Sequence, residues 1–272
     1  MKISICIPQF NRIQYLIKSL DIIAKQTYSD IEVVISDDAS TDQTENYISA
    51  KQKVYRYPII YSRNFQNKGY DFNYRKALEL ATGSYCLVLG NDDSLYSCDS
   101  VESIVKFLRH HEYPDIGFCN YIEENNPHEI IQRAQTSTGL GSGPEIALKY
   151  YSCFSFVAGI IYKKDVFDKF NTNRYDGSIY AQIALGCIII SSGYRLFSLK
   201  EPLVLKDLQI DNNRSNSYRD TLPRKWRDYK KLDGGLKSVI HVLFKSFKET
   251  NTYSNALGHA VFKKIYRNTL PF

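Results

Sequence analysis

The chain of 272 residues is 43% hydrophobic and 24% charged, so it can bury a sizeable core, and its composition argues against intrinsic disorder. The formal net charge is +6, which is modest for this length but unevenly distributed. Residues 211–272 contain 13 Lys and Arg against 5 Asp and Glu, whereas residues 1–210 contain 22 against 24. The basic character therefore belongs to the C-terminal tail.

The six cysteines lie mostly in apolar runs, and no pair has the CxxC spacing typical of zinc or redox sites. We therefore expect buried, reduced thiols. The first residues do not have the pattern of a secretory signal, and no segment approaches the roughly 20 uninterrupted apolar residues of a membrane-spanning helix. These patterns predict a cytosolic protein, with contact to the inner face of the cell membrane left open.

The first 42 residues have the pattern of a nucleotide-binding βαβ unit. Residues 3–7 predict a strand closed by Pro8, and apolar residues at helical spacing predict an amphipathic helix over 12–26. A β-branched strand over 31–35 then runs directly into Asp37 and Asp38. Strand, helix, strand and carboxylates in this order are typical of an α/β nucleotide-binding sheet.

The second repeat ends in the sequence LVLGNDD, residues 87–93. Ser40 and Gln43 have capping-box spacing and predict a helix from Ser40 to about residue 49. A strand over 58–61, a polar loop and a helix from Asp71 lead to a strand over 85–89. Because that strand stops at Asp92 and Asp93, it should deliver two carboxylates to a sheet edge, where a divalent cation and the phosphates of a ligand commonly bind.

The remainder alternates further helices and strands. The polar, Gly-rich residues 122–143 predict a mobile loop over a site, and 179–192 predict a long apolar helix stopped by Gly193. The other expected elements are helices at 101–111, 144–151 and from 163, and strands at 116–121, 156–162, 195–199 and 203–205.

The tail beyond Gln209 begins as a polar linker, followed by an amphipathic segment over 221–248 and a basic-aromatic piece over 261–267. Three accounts are open: a helical extension packed on the domain, a surface for anionic lipid headgroups, or a nucleic-acid patch. The third is the weakest, and we expect no nucleic-acid partner. The lipid account suits basic and aromatic side chains, which favour the membrane interface.

Four signatures follow one another in the first 95 residues: SICIPQFNR, IEVVISDDASTDQT, NKG followed by YRKALELATGSY, and VLGNDD. In this order they resemble family 2 glycosyltransferases of the GT-A fold, and a weaker resemblance continues through FVAGIIYKKDVF to about residue 210. The chain is similar to bacterial members that build O-antigen or capsule, including abequosyltransferase-like ones. The resemblance implies an α/β fold with a mixed, mostly parallel sheet flanked by helices. Residues 1–95 would form its nucleotide-sugar half, 96–210 its acceptor half, and 211–272 a basic helical extension.

The resemblance also implies residue roles in donor binding. Asp93 would be the main ligand of Mn²⁺ or Mg²⁺, with Asp92 reaching the metal or the ribose. Members of the family often carry another Asp two residues before Asp92, and here that position is Gly90. The implied contacts to the nucleotide sugar are Pro8, Phe10, Asn11, Arg12, Asp37, Asp38, Asn67, Arg75 and Asp92.

Acceptor activation has no clear residue in the sequence. Inverting members use an Asp from an acidic pair, and that pair falls here on Ala181 and Gln182, neither of which can accept a proton. Asp176 is the nearest carboxylate and is the predicted base, unless the enzyme works without one, as a retaining mechanism allows. Gln182, Asn213 and Arg214 are the predicted lid or acceptor contacts.

We therefore expect a metal-assisted transferase that moves one sugar from a nucleotide-sugar donor to a hydroxyl of a surface glycan, whose acceptor is held on a polyprenyl lipid. Two alternatives remain. A nucleotidyltransferase that makes sugar nucleotides uses a related sheet, although the Gly-rich phosphate loop of such enzymes is absent from the N-terminal sequence. A catalytically silent nucleotide-sugar-binding protein would explain the missing acidic pair.

Overall fold

The computed structural model of the chain describes residues 1–210 and 235–269. Its strands are β1 (Ile3–Gln9), β2 (Ile31–Asp37), β3 (Ile59–Arg63), β4 (Tyr85–Val88), β5 (Ser94–Leu95), β6 (Ile116–Glu123), β7 (Asn126–Ile131), β8 (Thr138–Gly141), β9 (Ile160–Lys163) and β10 (Leu196–Lys206). Its helices are α1 (Ile13–Ile23), α2 (Thr44–Lys51), α3 (Tyr70–Glu79), α4 (Ser100–His110), α5 (Pro144–Tyr150), α6 (Lys164–Phe170), α7 (Ala181–Ser191), α8 (Leu236–Glu249) and α9 (Asn255–Thr269).

The ten strands form one mixed sheet with the order β3-β2-β1-β4-β9-β6-β10-β5, to which β7 and β8 add at β6 and β10. The four strands β3, β2, β1 and β4 are parallel, so their carboxyl ends meet at one edge. Strand β9 runs antiparallel between β4 and β6, and β10 is parallel to β6. The sequence prediction of an α/β mixed sheet flanked by helices is confirmed.

Two apolar layers cover the two faces of the sheet. In β1, Ile5 and Ile7 belong to one layer and Cys6 to the other, as the alternation of side chains along a strand requires. Helices α1 and α4 cover the first face, and Val101, Ile104, Val105 and Leu108 form the buried stripe of α4 at helical spacing. This packing fixes the strand ends that carry polar groups.

Helix α7 lies at the centre of the second layer, and all eleven of its residues are buried. A helix that is apolar on every side must be surrounded by other elements, which explains the long apolar run in the sequence. Gly186 permits the ring of Phe154 to pack against α7, because a Cβ there would lie 3.1 Å from that ring. Helices α3, α5 and α8 also contact α7.

Residues 122–143 are not a loop over a site, so that prediction is wrong. They form β7, antiparallel to β6, and β8, antiparallel to β10. Arg133 anchors the connection, because its partly buried guanidinium donates hydrogen bonds to the backbone carbonyls of Cys119, Cys153, Phe156 and Ala158. Nearly all residues of β7 are exposed, so its sequence lacks the alternation of apolar and polar residues that predicts a half-buried strand.

Two smaller expectations are also wrong. Helix α2 begins at Thr44 without a cap from Ser40, because the Ser40 hydroxyl donates to Asp37 instead, at 2.5 Å. Asp42 accepts from the backbone N–H groups of Ile13 and Thr44 and so serves the first turns of both α1 and α2. The two late strands are one strand, β10, interrupted by register shifts near Pro202.

The described part of the tail packs on the domain. Val242, Leu243 and Phe247 of α8 are fully buried and share one apolar layer with α7, and Val261 and Ile265 of α9 join it. Residues 221–234, the first half of the predicted amphipathic segment, lie outside the described residues. Across 1–210 and 235–269, no helix is both long and apolar enough to cross a membrane.

Candidate active site

A cleft of about 870 Å³ opens where β1, β4 and β10 end. Strand β1 and its following loop supply one wall, the turn after β4 supplies the floor, and the loop before α7 supplies the opposite wall. The lining residues are Pro8, Phe10, Arg12, Asp38, Asn67, Gly69, Tyr70, Asn73, Gly90, Asn91, Asp92, Asp93, Ser155, Phe156, Val157, Ile179, Tyr180, Gln182, Lys206 and Asp207.

Asp93 is the most deeply seated carboxylate of the cleft, with only 2% of its surface exposed. Its Oδ1 accepts from the backbone N–H of Asp207 at 3.1 Å, and its own carbonyl accepts from the Ser19 hydroxyl at 2.8 Å. Burial raises the pKa of Asp93 well above its ordinary value, and the charge of Asp92 adds to this effect. Ionised Asp93 therefore needs a compensating positive charge.

Gly90 has a steric reason to be glycine. A Cβ at this position would lie 2.4 Å from Asp93 Oδ2, closer than nonbonded atoms approach. The carboxylate of Asp93 thus occupies the space that a side chain at position 90 would need. The missing acid at position 90 and the placement of the Asp93 carboxylate are therefore sterically linked. The larger share of Asp93 in metal binding stays a prediction.

Asp92 is paired with Arg12, whose Nη1 lies 2.7 Å from Asp92 Oδ2. Burial raises the pKa of Asp92 above its ordinary value although Arg12 opposes the shift. Asn11 and Arg12 both have left-handed backbones, with φ of 52° and 58°, and the Asn11 side chain accepts from the N–H of Thr41 at 2.8 Å. Two consecutive non-glycine residues of this kind are unusual, and they turn Arg12 toward the carboxylates.

Lys206 and Asp207 complete the polar floor, and the sequence analysis did not identify them. Lys206 Nζ lies 2.6 Å from both Glu123 and Asp207, and these partners raise the pKa of Lys206 although its burial opposes the shift. The backbone N–H of Leu208 donates to the carbonyl of Asp92 at 2.8 Å, which joins the end of β10 to the turn after β4. The sequence pattern that could have identified Lys206 and Asp207 is LVLKD at 203–207. Like LVLGNDD at 87–93, it is an apolar strand that ends in charged residues.

The carboxylates of the cleft could supply some, but not all, of the ligands of a divalent cation. Asp92, Asp93 and Asp207 place carboxylate oxygens in one cleft, and hard cations such as Mg²⁺ and Mn²⁺ prefer oxygen ligands. No group of three His, Cys, Asp or Glu side chains within the described ranges is arranged to hold a metal by itself. Mg²⁺ commonly binds through one or two carboxylates together with substrate phosphates. The residues therefore fit a cation that arrives with a diphosphate.

The carboxylates of Asp37 and Asp38 both accept hydrogen bonds from other groups of the chain. Asp37 is fully buried, does not line the cleft, and accepts from the Ser40 N–H at 2.8 Å and the Tyr61 hydroxyl at 2.6 Å. Asp38 lines the cleft and accepts from the backbone N–H groups of Lys68 and Gly69. Both carboxylates therefore shape the loops after β2 and β3.

Arg75 and Asp176 bind each other rather than facing the cleft. Arg75 donates from Nε to Asp176 Oδ1 at 2.9 Å and from Nη2 to Oδ2 at 2.6 Å, and its Nη1 also reaches Asn171. Neither residue is among those that line the cavity. The bidentate pair ties the segment before α7 to α3.

Asp71 holds the next part of the same segment. Its buried carboxylate accepts from the N–H groups of Ile179 at 2.8 Å and Ala181 at 3.1 Å. Burial raises its pKa above the ordinary value although these hydrogen bonds oppose the shift. Ile179 has φ of 67°, a strained backbone for a β-branched residue, and Tyr180 and Gln182 follow it into the cleft wall.

The family model for glycosyl transferase family 2 matches residues 4–171, more than half of the chain. The chain belongs to glycosyltransferase family 2. The match covers the turn after β4 and most of the cleft lining, which accords with the resemblance seen in the sequence.

The transferase is similar to curated relatives of the same kind. It is 33% identical to the abequosyltransferase RfbV of Salmonella typhimurium over 75% of its own length and 66% of that protein. It is 26% identical to a GalNAc(5)-diNAcBac-PP-undecaprenol beta-1,3-glucosyltransferase of Campylobacter jejuni over 64% of its length and 56% of that protein. The chain thus spans about two thirds or less of these two relatives.

Solved structures confirm the GT-A fold of the transferase. It matches S. aureus TarS 1–349 in complex with UDP with a TM-score of 0.70 and 16% identity, over 98% of this chain and 72% of that one. It matches the mannosyltransferase PcManGT of Pyrobaculum calidifontis, in complex with GDP-Man and Mn²⁺, with a TM-score of 0.62 and 16% identity, over 98% and 70%. At these identities the likeness concerns the fold.

The structure of the transferase sorts the predicted site residues into three groups. Those that line the cleft are Pro8, Phe10, Arg12, Asp38, Asn67, Asp92, Asp93 and Gln182. Those placed elsewhere are Asn11, Asp37, Arg75 and Asp176. Asn213 and Arg214 lie outside the described residues.

Proposed function

We propose that this glycosyltransferase moves a single sugar from a nucleotide-sugar donor to a hydroxyl of a bacterial surface glycan, with help from Mn²⁺ or Mg²⁺. The observation that carries the proposal is the convergence of Asp92, Asp93 and Asp207 with the cations Arg12 and Lys206 in one cleft at the strand ends. Transfer leaves a nucleoside diphosphate, so negative charge grows on the β-phosphate, and preorganised positive groups stabilise it.

The nucleotide fits the wall formed by the loop after β1. Phe10 is an exposed aromatic ring suited to stack on a base, and Pro8 and Asn67 line the same cleft. A cation bound with the diphosphate at Asp93 and Asp92 would supply charge neutralisation of the leaving group. Arg12 and Lys206, held by their carboxylate partners, provide positive charge at the same place.

The acceptor reaches the cleft from the side of α7. The base role of Asp176 stays a prediction, and its ion pair with Arg75 favours a function in holding the loop before α7. A polyprenyl-linked acceptor is proposed because the name of the Campylobacter relative specifies an undecaprenol diphosphate carrier. Such a carrier would place the reaction at the cytoplasmic face of the membrane.

Contact with an anionic membrane surface through the tail is part of this proposal. A groove of about 720 Å³ between α5 and α9 is lined by the three lysines Lys149, Lys263 and Lys264 and by one carboxylate, Glu145. Its excess of positive charge suits phosphate headgroups. Co-sedimentation with phosphatidylglycerol vesicles tests it, because replacing Lys263 and Lys264 by Glu should abolish binding at low salt. Undiminished binding by this variant would refute the lipid contact.

A nucleotide panel tests the transferase function. Thermal shift and sugar transfer or hydrolysis are measured with UDP-, GDP-, CDP- and dTDP-sugars, with and without Mn²⁺. We expect stabilisation by the sugars of one nucleotide, dependent on metal, and loss of the metal dependence in Asp93→Asn. Binding without turnover would favour a silent binding protein. No response to any nucleotide sugar would contradict the proposal.

A further inference from the structure

Three consecutive residues of the cleft wall, 155–157, are held by a side chain that does not itself line the cleft. Arg133, in the connection between β7 and β8, donates from Nη1 to the backbone carbonyls of Cys153 at 3.1 Å and Phe156 at 3.0 Å. Its Nη2 donates to the carbonyl of Ala158 at 2.8 Å. These carbonyls lie before, within and after the wall, so this guanidinium fixes the course of the backbone there.

The place of Arg133 is itself fixed by the fold. Its Nε donates to the carbonyl of Cys119 in β6 at 2.8 Å, and its backbone N–H donates to the buried side chain of Asn120 at 2.7 Å. Gly159 leaves room for the guanidinium, because a Cβ there would lie 2.8 Å from Arg133 Nη2. A lysine cannot reproduce this arrangement, since a guanidinium presents several donors in a rigid fork and an ammonium does not.

The same guanidinium lies beside a pair of aromatic rings, those of Tyr121 and Phe156, whose centroids are 4.6 Å apart. The guanidinium carbon of Arg133 lies 5.2 Å from the Tyr121 centroid and 5.6 Å from the Phe156 centroid. Lys206 Nζ lies 5.8 Å and 5.6 Å from the same two centroids. Because a cation within about 6 Å of a ring centroid is attracted by the face of the ring, Arg133 and Lys206 interact with one shared aromatic pair.

The orientation of the Lys206 side chain, which lines the cleft, depends on this aromatic pair. Its ammonium also pairs with Glu123 and Asp207, whose side chains are 27% and 24% exposed. Ion pairs with partly exposed carboxylates contribute little to fixing a flexible four-carbon side chain. The rings of Tyr121 and Phe156 supply a second set of contacts, and these keep the ammonium in one position.

We propose that Arg133 and Tyr121 are positioning residues of the transferase, which hold the ring of Phe156 and the ammonium of Lys206 where the leaving diphosphate is bound. This inference rests on the proposed transferase function, in which Lys206 is a cation that meets the diphosphate. A cation that is already in place stabilises the negative charge of a leaving group without first having to reorganise. Neither positioning residue lines the cleft, so their effect on a ligand passes through Phe156 and Lys206.

Two substitutions of Tyr121 test the aromatic contact. The probe is the nucleoside diphosphate of the nucleotide sugar that stabilises the wild type most in the panel of UDP-, GDP-, CDP- and dTDP-sugars, and calorimetry in Mn²⁺ measures its affinity. Tyr121→Leu removes the ring and should weaken diphosphate binding about fivefold, the effect of losing a cation–π contact. Tyr121→Phe keeps the ring and should bind the diphosphate within about twofold of the wild type.

The nucleoside monophosphate of the same base distinguishes a positioning role from a merely structural one. It lacks the β-phosphate that Lys206 would meet, so Tyr121→Leu should leave its affinity within about twofold of the wild type. Competition against the diphosphate measures this affinity where it is weak. A general loosening of the cleft would instead weaken the binding of both ligands alike.

Arg133→Lys tests the fork of the guanidinium, with Arg56→Lys as the matched control. Arg133→Lys keeps the positive charge but loses the set of donors, and it should weaken diphosphate binding as Tyr121→Leu does. Arg56 also donates to a backbone carbonyl, that of Ala24 at 2.9 Å, and lies 5.1 Å from the centroid of Tyr57, but it does not line the cleft. The control should change neither affinity. If Arg133→Lys does not fold, the two Tyr121 variants decide the matter.

The outcomes separate this inference from the proposed function. Equal losses for diphosphate and monophosphate in Tyr121→Leu, or an unchanged diphosphate affinity in that variant, overturn the positioning role while the transferase function stands. A wild type that responds to no nucleotide sugar of the panel overturns both.

Discussion

The guanidinium of Arg75 donates two hydrogen bonds, of 2.9 and 2.6 Å, to the carboxylate of Asp176. The sequence predicted two separate roles for these residues: Arg75 as a contact to the nucleotide sugar and Asp176 as the catalytic base. Their pairing instead links α3 to the segment that leads into α7, whose residues line the cleft. This link changes what each substitution should do.

We expect Arg75→Ala and Asp176→Asn to reduce transfer to a similar degree, because both loosen the same segment. A double-mutant cycle on the free energy of unfolding should give a coupling of about 0.5–3 kcal/mol between Arg75 and Asp176. If Asp176 were the base, Asp176→Asn alone would lower kcat by about 10²- to 10⁴-fold, far beyond the effect of Arg75→Ala. Steady-state kinetics on the two single variants decides between these roles.

Substituting Gly90 should disturb Asp93. The Cβ of Gly90→Ala would lie 2.4 Å from Asp93 Oδ2, so the carboxylate must move. We expect a loss of about 1–3 kcal/mol in the free energy of unfolding, the usual cost of overpacking, and weaker metal-dependent binding of the nucleoside diphosphate. Gly139→Ala is the control, because a Cβ there meets nothing within 4 Å. Wild-type metal dependence in Gly90→Ala would show that the position of Asp93 does not matter.

The buried Glu32 should make stability depend on pH. Burial opposes its ionisation, but hydrogen bonds from Lys2, Ser4 and Thr82 outweigh that effect and lower its pKa. A carboxyl group with a lowered pKa stabilises the fold above its unfolded pKa of about 4.3, and this contribution is lost as the pH falls through the folded pKa. Urea unfolding of Glu32→Gln should show a deficit of about 1–3 kcal/mol at pH 7 that narrows below pH ~4. A deficit independent of pH would exclude this explanation.

Helix α8 should behave as part of the core. Phe247 is fully buried against the layer that contains α7, whereas Phe262 of α9 is 54% exposed. Phe247→Ala should cost about 3–5 kcal/mol in the free energy of unfolding, and Phe262→Ala much less. Chemical denaturation followed by circular dichroism measures both. Equal, small effects would mean that the tail contributes little to the stability of the domain.

Local sequence patterns predicted most elements of the first half and its polar strand ends. Strands β1, β2 and β4 are buried apolar runs, so their burial is visible in the residue types themselves. The turn at Gly90 to Asp93 was recognised for the same reason, because charges that follow a buried strand must emerge at the sheet edge. Strand β7 was missed, since its exposed residues carry no apolar alternation.

The cleft is formed by contacts between residues that are far apart in the sequence, and no local sequence pattern predicts such contacts. Asp207 meets Asp93 across 114 positions, and Asp71 meets Ala181 across 110. Asp37, Arg75 and Asp176 carry the residue types expected of a site, yet in the fold their charges are satisfied by neighbours within the chain. The sequence by itself determined the sheet, the family and the carboxylates after β4. Only the tertiary structure decided which polar groups pair with one another and which remain for a ligand, because pairing is set by packing between distant segments.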